Sequence, residues 1–203
     1  MISPLRSRRR SQTARDIQMA TIRLANAHGL EAVTTEMISA EAGISPRTFF
    51  NYYPNKEAAV IGHPPSFGEV EAAAFVGKAG SFSEDFGRLM QTLIAGLEAD
   101  RPVLAAAAGL GQQNPRLLAL HETSMRELKD RLVAILAARL PEEDPLVLRL
   151  LALSALEAVR LAIDRWLAGD EPGPAQSVAA LWPQLARAGA LLAEAEARQP
   201  DLR

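Results

Sequence analysis

Two very short helical patterns on either side of a glycine turn constrain this chain more than any other feature. In "TTEMISAEAGISPRTFFNYY", residues 34–53, threonines suited to an N-cap precede Ile38 and Ala42, and Gly43 stands where that helix must end. Ser45 then reads as the cap of a new helix and Pro46 as its first residue, where a missing amide hydrogen costs nothing. Upstream, in "TARDIQMATIRLANAHGLE", Ile17, Ala20, Thr21, Leu24 and Ala25 recur at three and four, and Gly29 suits a left-handed helix end. A longer helix followed by two short ones with a tight glycine turn between them is a helix-turn-helix pattern. "PNKEAAVI" starts one more helix, with Asn55 as cap and Glu57 in its first turn.

The third helix is rich in rings. Phe49, Phe50, Tyr52 and Tyr53 are four of the ten aromatic residues in the 203-residue chain. Phe49, Tyr52 and Tyr53 lie three and four positions apart, so one side of the helix packs against its neighbours, and Phe49 and Tyr53 are expected in the core. Phe50 and Asn51 fall on another side with Arg47. That side suits a DNA major groove, where arginine bridges guanine O6 and N7, asparagine suits adenine, and an aromatic edge meets a thymine methyl. Ser45, Thr48 and Tyr52 supply hydroxyls for phosphates.

Charge agrees with a polyanion at this end. The net charge is only −2, but residues 1–57 hold eight Lys or Arg against five acids, leaving 14 against 19 in the remainder. Arg6, Arg8, Arg9 and Arg10 form a basic N-terminal arm. The absence of cysteine excludes disulfides, thiolate metal sites and a cysteine nucleophile, and suits a reducing cytoplasm. Neither a signal-peptide apolar stretch nor a run of 18 apolar residues is present, so no membrane span is expected.

With these residues in register, "TTEMISAEAGISPRTFFNYYPNKEA" resembles the DNA-binding segment of TetR-family repressors, over roughly residues 12–60. The family pattern, Thr, Ile-Ala, Ala-Gly-Val-Ser, Thr-Leu-Tyr, Tyr-Phe and Lys-Glu, falls here on Thr34, Ile38 and Ser39, Ala42 to Ser45, Thr48 to Phe50, Tyr52 and Tyr53, and Lys56 and Glu57. The resemblance implies an all-α fold: an N-terminal three-helix helix-turn-helix domain and a C-terminal helical domain for ligand binding and dimerisation. It implies a repressor released from a palindromic operator in double-stranded DNA by a small molecule. Together with the reading above, it gives a candidate DNA-contacting set of Thr34, Thr35, Ser45, Pro46, Arg47, Thr48, Phe50, Asn51, Tyr52 and Lys56, with Lys56 on a phosphate. Phe50 stands at a common tyrosine position, and Pro46-Arg47 replaces a frequent Lys-Gly, which bears on the base sequence read.

The expected domains are 1–61 and 62–203, separated by the Pro/Gly break "GHPPSFG". Beyond it come one short helix, "GEVEAAAFV", and helices near 83–99, 102–110, 115–140, 145–168 and 175–197. The helix at 145–168 is apolar around most of its circumference, which suits a homodimer interface shared with 175–197. Its stripe of Arg149, Glu157, Arg160 and Asp164 reads first as a solvated edge and second as pocket lining. The aliphatic body suits an alkyl or acyl chain, and it resembles, more loosely, TetR branches that sense acyl-CoA-like ligands, with a polar head near Arg126, Arg160 or Arg165. No catalytic, metal or cofactor constellation is expected: His28, His63 and His121 are scattered, and "GLGQQN" lacks the third glycine and preceding strand of a dinucleotide loop. A small helical enzyme would need such a constellation. A structural adaptor would not need Arg47, Asn51 and the basic arm close together.

Overall fold

The computed structural model describes residues 4–78, 80–95, 97 and 101–197, and these are all-helical. The helices are α1 (Pro4–His28), α2 (Thr35–Glu41), α3 (Pro46–Phe50), α4 (Lys56–Ile61), α5 (Glu69–Val76), α6 (Phe82–Ile94), α7 (Arg101–Gln113), α8 (Pro115–Arg139), α9 (Pro145–Ala168) and α10 (Pro174–Ala197). A single 3-10 turn, Leu30–Ala32, joins α1 to α2. The basic arm is therefore not a loose tail: the described part of it, from Pro4, is the first two turns of α1. Arginine is a good helix former, and the apolar periodicity that marked the helix begins only after the arginine run.

The described residues fall into two compact units, one within Met1–Pro64 and Ala99–Arg126, the other within Pro65–Glu98 and Glu127–Arg203. The sequence division at 61/62 thus misses that residues 101–126 pack with the N-terminal helices. The reason is that α1 has two apolar faces. Ala14, Ile17 and Ala20 join Val33, Ile38, Phe49, Tyr53 and Ala59 in one cluster. Ile22 and Ala25 join Leu30, Val60, Val103 of α7 and Leu117 of α8 in another. A helix with two apolar faces needs cover on both.

In the second unit, α10 packs against α9 and α6, and α5 against α6. Phe75, Phe82, Phe86 and Trp182 form a chain of ring contacts with centroids 5.1–5.9 Å apart. Trp182 also donates its indole N–H to the Ser83 carbonyl at 3.0 Å. At Gly87 a Cβ would stand only 3.0 Å from the indole nitrogen, so a side chain there would force Trp182 outward. Asp85 is buried on α6 and is held by Arg88 at 2.6 Å and Lys78 at 3.2 Å, with Arg139 at 3.7 Å. The Arg88 hydrogen bond lowers its pKa, burial opposes this in part, and Lys78 adds to the lowering.

Candidate nucleic-acid interface

Local chemistry sets the geometry of α2 and α3. The Thr34 hydroxyl accepts from the Met37 amide at 3.2 Å and the Ser45 hydroxyl from the Thr48 amide at 3.1 Å, so both helices are capped as their residue types require. Gly43, at φ 66°, makes the turn in a conformation that L side chains adopt at a cost, and the Ile44 amide closes it on the Ser39 carbonyl at 2.9 Å. Neither helix is long enough to hold itself, so packing decides their stability. Phe49 and Tyr53 supply it: both are buried, and the Tyr53 hydroxyl donates to the Ala14 carbonyl at 3.2 Å.

The opposite side of α3 is open. Phe50 is 56% exposed, its ring set edge-on against Phe49 with centroids 5.3 Å apart. Arg47 and Asn51 are exposed on either side of it in sequence, with Thr34, Ser45 and Pro46 also exposed and Thr35, Thr48 and Tyr52 half-buried. The Ser45 and Thr48 hydroxyls bond each other at 2.8 Å, and Thr35 donates to Glu36 at 3.3 Å. Most of the candidate set therefore lies on α3 and the N-cap end of α2, in one unit.

Lys56 does not belong with it. Its ammonium donates to the carbonyls of Leu30 at 2.7 Å, Val33 at 3.0 Å and Glu31 at 3.1 Å. Its three N–H groups thus have three acceptors in the chain's own backbone, which ties α4 to the α1–α2 connection. One sequence signal pointed there: a cation in the first turn of a helix opposes the helix dipole and needs another reason to be present.

Sequence reasoning placed Arg10 in the basic arm but gave it no partner. Its guanidinium lies over the Tyr52 ring, 5.5 Å from the centroid, within cation–π range.

The arginines expected near an effector head group are each exposed on a helix. Arg160 donates to Glu157 at 2.9 Å and to Asp164 at 2.6 Å on the exposed edge of α9, which holds Glu157 below and Arg160 above the usual range. Arg149 is exposed on the same edge, as the solvated reading of the stripe requires. Arg165 reaches Glu171 at 3.4 Å, and Arg126 is exposed on α8. A half-open cleft of about 180 Å³ in the second unit is lined instead by Ser66, Phe67, Gly68, Glu71, Thr92 and Leu93. Among the described residues no cluster of His, Asp or Glu could hold a metal. His63 stacks on Tyr53, with centroids 4.9 Å apart.

Residues 17–60 match the family described as bacterial regulatory proteins, tetR family. Over 145 residues, 66% of this chain, the sequence is 28% identical to the HTH-type transcriptional regulator TcmR of Streptomyces glaucescens, spanning 63% of that protein's length. Among solved structures, the fold is similar to a TetR-like transcriptional regulator from Rhodococcus sp. RHA1 (TM-score 0.53, 23% identity, 90% of this chain and 96% of that one). It is also similar to the fatty acid degradation regulator FadR from Bacillus halodurans (TM-score 0.52, 19% identity, 84% and 96%). Thermus thermophilus FadR, solved with lauroyl-CoA, matches at TM-score 0.50 and 20% identity over 85% and 92%. A capped helix-turn-helix with an open recognition face and the family match across it lead to one conclusion: residues 17–60 of the chain are a DNA-binding segment of the tetR type.

Proposed function

We propose that this chain is a DNA-binding transcriptional regulator, a homodimeric repressor released from a palindromic operator by a small, largely apolar effector. The observation that carries the reading is the division of labour on α3, where Phe49 is buried and Arg47, Phe50 and Asn51 stand exposed. Arg47 is the candidate for a bidentate guanine contact, Asn51 for adenine and Phe50 for a thymine methyl. Ser45, Thr48 and Tyr52, with Thr34, Thr35 and Pro46 beside them, lie against the sugar-phosphate backbone. A basic, cysteine-free DNA-binding end fits the cytoplasm.

Dimerisation is supported by α9 and α10. Leu146, Leu150 and Leu153 are 64%, 55% and 51% exposed at helical spacing, and Leu191 and Leu192 are exposed on α10. A second copy would cover these side chains and set two recognition helices on half-sites about 34–36 Å apart or a multiple of that. For the effector, support comes from the aliphatic side chains Leu89, Met90, Leu93 and Ile94, which line one run of α6, and from a fold neighbour solved with lauroyl-CoA. An acyl chain or acyl-CoA is the class proposed. The cleft of about 180 Å³ is smaller than such a ligand needs, so binding must widen the second unit. A ligand that favours the widened form would shift the protein from its DNA-bound form by that difference in affinity.

The test is to recover the genomic fragment retained by the purified protein and to titrate a chain-length series of fatty acids and acyl-CoAs against the complex. Release that grows with chain length is expected. Release by planar cations alone, or none across the series, contradicts the effector class and leaves the DNA reading standing.

A further inference from the structure

With Lys56 engaged by backbone carbonyls and Arg23 paired with Glu41 at 3.1 Å, phosphate contacts near α3 need other cations. Pro4–Thr13 are the first ten residues of α1, and of these Arg9 to Thr13 lie exposed or half-buried ahead of the buried Ala14. At about 1.5 Å per residue this stretch of helix is roughly 15 Å long. It carries Arg6, Arg8, Arg9 and Arg10 and lies outside the family match, which begins at residue 17. Arg9 and Arg10 are exposed. The Arg10 guanidinium lies over the Tyr52 ring at 5.5 Å, so this stretch is fastened beside the recognition helix and does not point away from it.

We infer that the start of α1 is a second DNA-contacting element, in which Arg9 and Arg10 bind backbone phosphates flanking each half-site and Arg10 braces Tyr52. The inference rests on the DNA-binding reading above. Guanidinium suits both tasks, since its plane stacks on an aromatic ring while N–H groups at its edge remain directed at phosphate oxygens. An ammonium could not do both. Helical rigidity gives the element a defined reach, and roughly 15 Å corresponds to about four base pairs at 3.4 Å each. The contacts carry no base identity, so they raise affinity without changing the sequence read.

Fluorescence anisotropy with the full chain tests this on the retained duplex, on the same duplex trimmed by about four base pairs at each end, and across a salt series. The double variant Arg9→Ala, Arg10→Ala should bind the long duplex at least tenfold more weakly, with unchanged base preference. Its plot of log affinity against log salt should be shallower by about 3.6, from one phosphate for each arginine in each chain of the dimer, at roughly 0.9 apiece. Unaltered protein on the trimmed duplex should fall toward the variant's affinity, and this arm decides the matter even if the variant folds poorly. Wild-type affinity and slope in the double variant, or indifference of the unaltered protein to trimming, overturns the inference while Arg47→Ala still reports on the recognition helix. Failure of the unaltered protein to bind any duplex overturns both.

Discussion

Lys56, the first residue of α4, donates to the Leu30 carbonyl at 2.7 Å, a bond that ties the fourth helix to the turn leading into the second. Two further carbonyls, Val33 and Glu31, complete its shell. Hydrogen bonds from a charged donor are each worth more than neutral ones, and removing this donor takes one bond from each of three carbonyls. Lys56→Met should therefore lower the stability of the first unit by about 1.5–3 kcal/mol in urea unfolding. DNA affinity should fall only as far as the folded fraction does. A variant as stable as the parent but weak on every duplex would restore the phosphate role.

Gly62 ends α4 at φ 75° and ψ −165°, a region nearly closed to other residues. A Cβ there would also meet the side-chain amide of Gln18, which donates to the Val60 carbonyl at 3.0 Å. Gly62→Ala should cost about 1–3 kcal/mol through backbone strain, with further loss from the displaced Gln18. Adding Gln18→Ala to Gly62→Ala should recover part of the loss, because the clash goes while the strain stays. Additive losses would contradict the contact.

Asp85 brings Lys78, Arg88 and Arg139 to one buried carboxylate. Its folded pKa is depressed, so the stability it contributes is present above the unfolded carboxylate pKa of about 3.9 and is lost as pH falls through the folded value. Asp85→Asn should lower the melting temperature at neutral pH, with the difference from the parent shrinking on acidification below about pH 4. A difference that grew as pH fell would reverse the sign assigned here.

Much of this was legible in the sequence, and the legible part was local. Ser45, Thr34 and Asn55 cap the helices their positions suggested, because a side chain and an amide three residues on need no tertiary information to meet. The burial of Phe49 and Tyr53 and the exposure of Phe50 followed from helical spacing. What escaped was tertiary. Lys56 finds its acceptors 23 to 26 residues away, a distance no spacing rule spans. Val103 and Leu117 read as ordinary apolar positions, and only the second face of α1 shows why they join the N-terminal unit. Arg10 read as part of a basic arm, and only the placement of Tyr52 beneath it shows what holds it.

On α9, Leu146, Leu150 and Leu153 run at steps of four and three, and Glu157, Arg160 and Asp164 continue the same steps. Leu150→Glu combined with Leu153→Glu should convert the proposed dimer to a 21.9 kDa monomer in sedimentation and weaken operator binding by more than tenfold. Both side chains are exposed in the single chain, so its folding should be spared. A variant that remains dimeric would place the interface elsewhere.

The central claim is that the exposed side of α3 reads bases, and Arg47→Ala tests it most directly. Affinity is measured for the parent and the variant on the retained operator and on a random duplex, at several salt concentrations. On the operator the variant should lose about 1–3 kcal/mol per half-site and accept substitutions at one base pair there. On the random duplex its loss should be small and salt-dependent, as befits one fewer positive charge. Equal losses on the two duplexes, with base preference unchanged, would show that Arg47 only neutralises phosphate and that α3 is not the reading element.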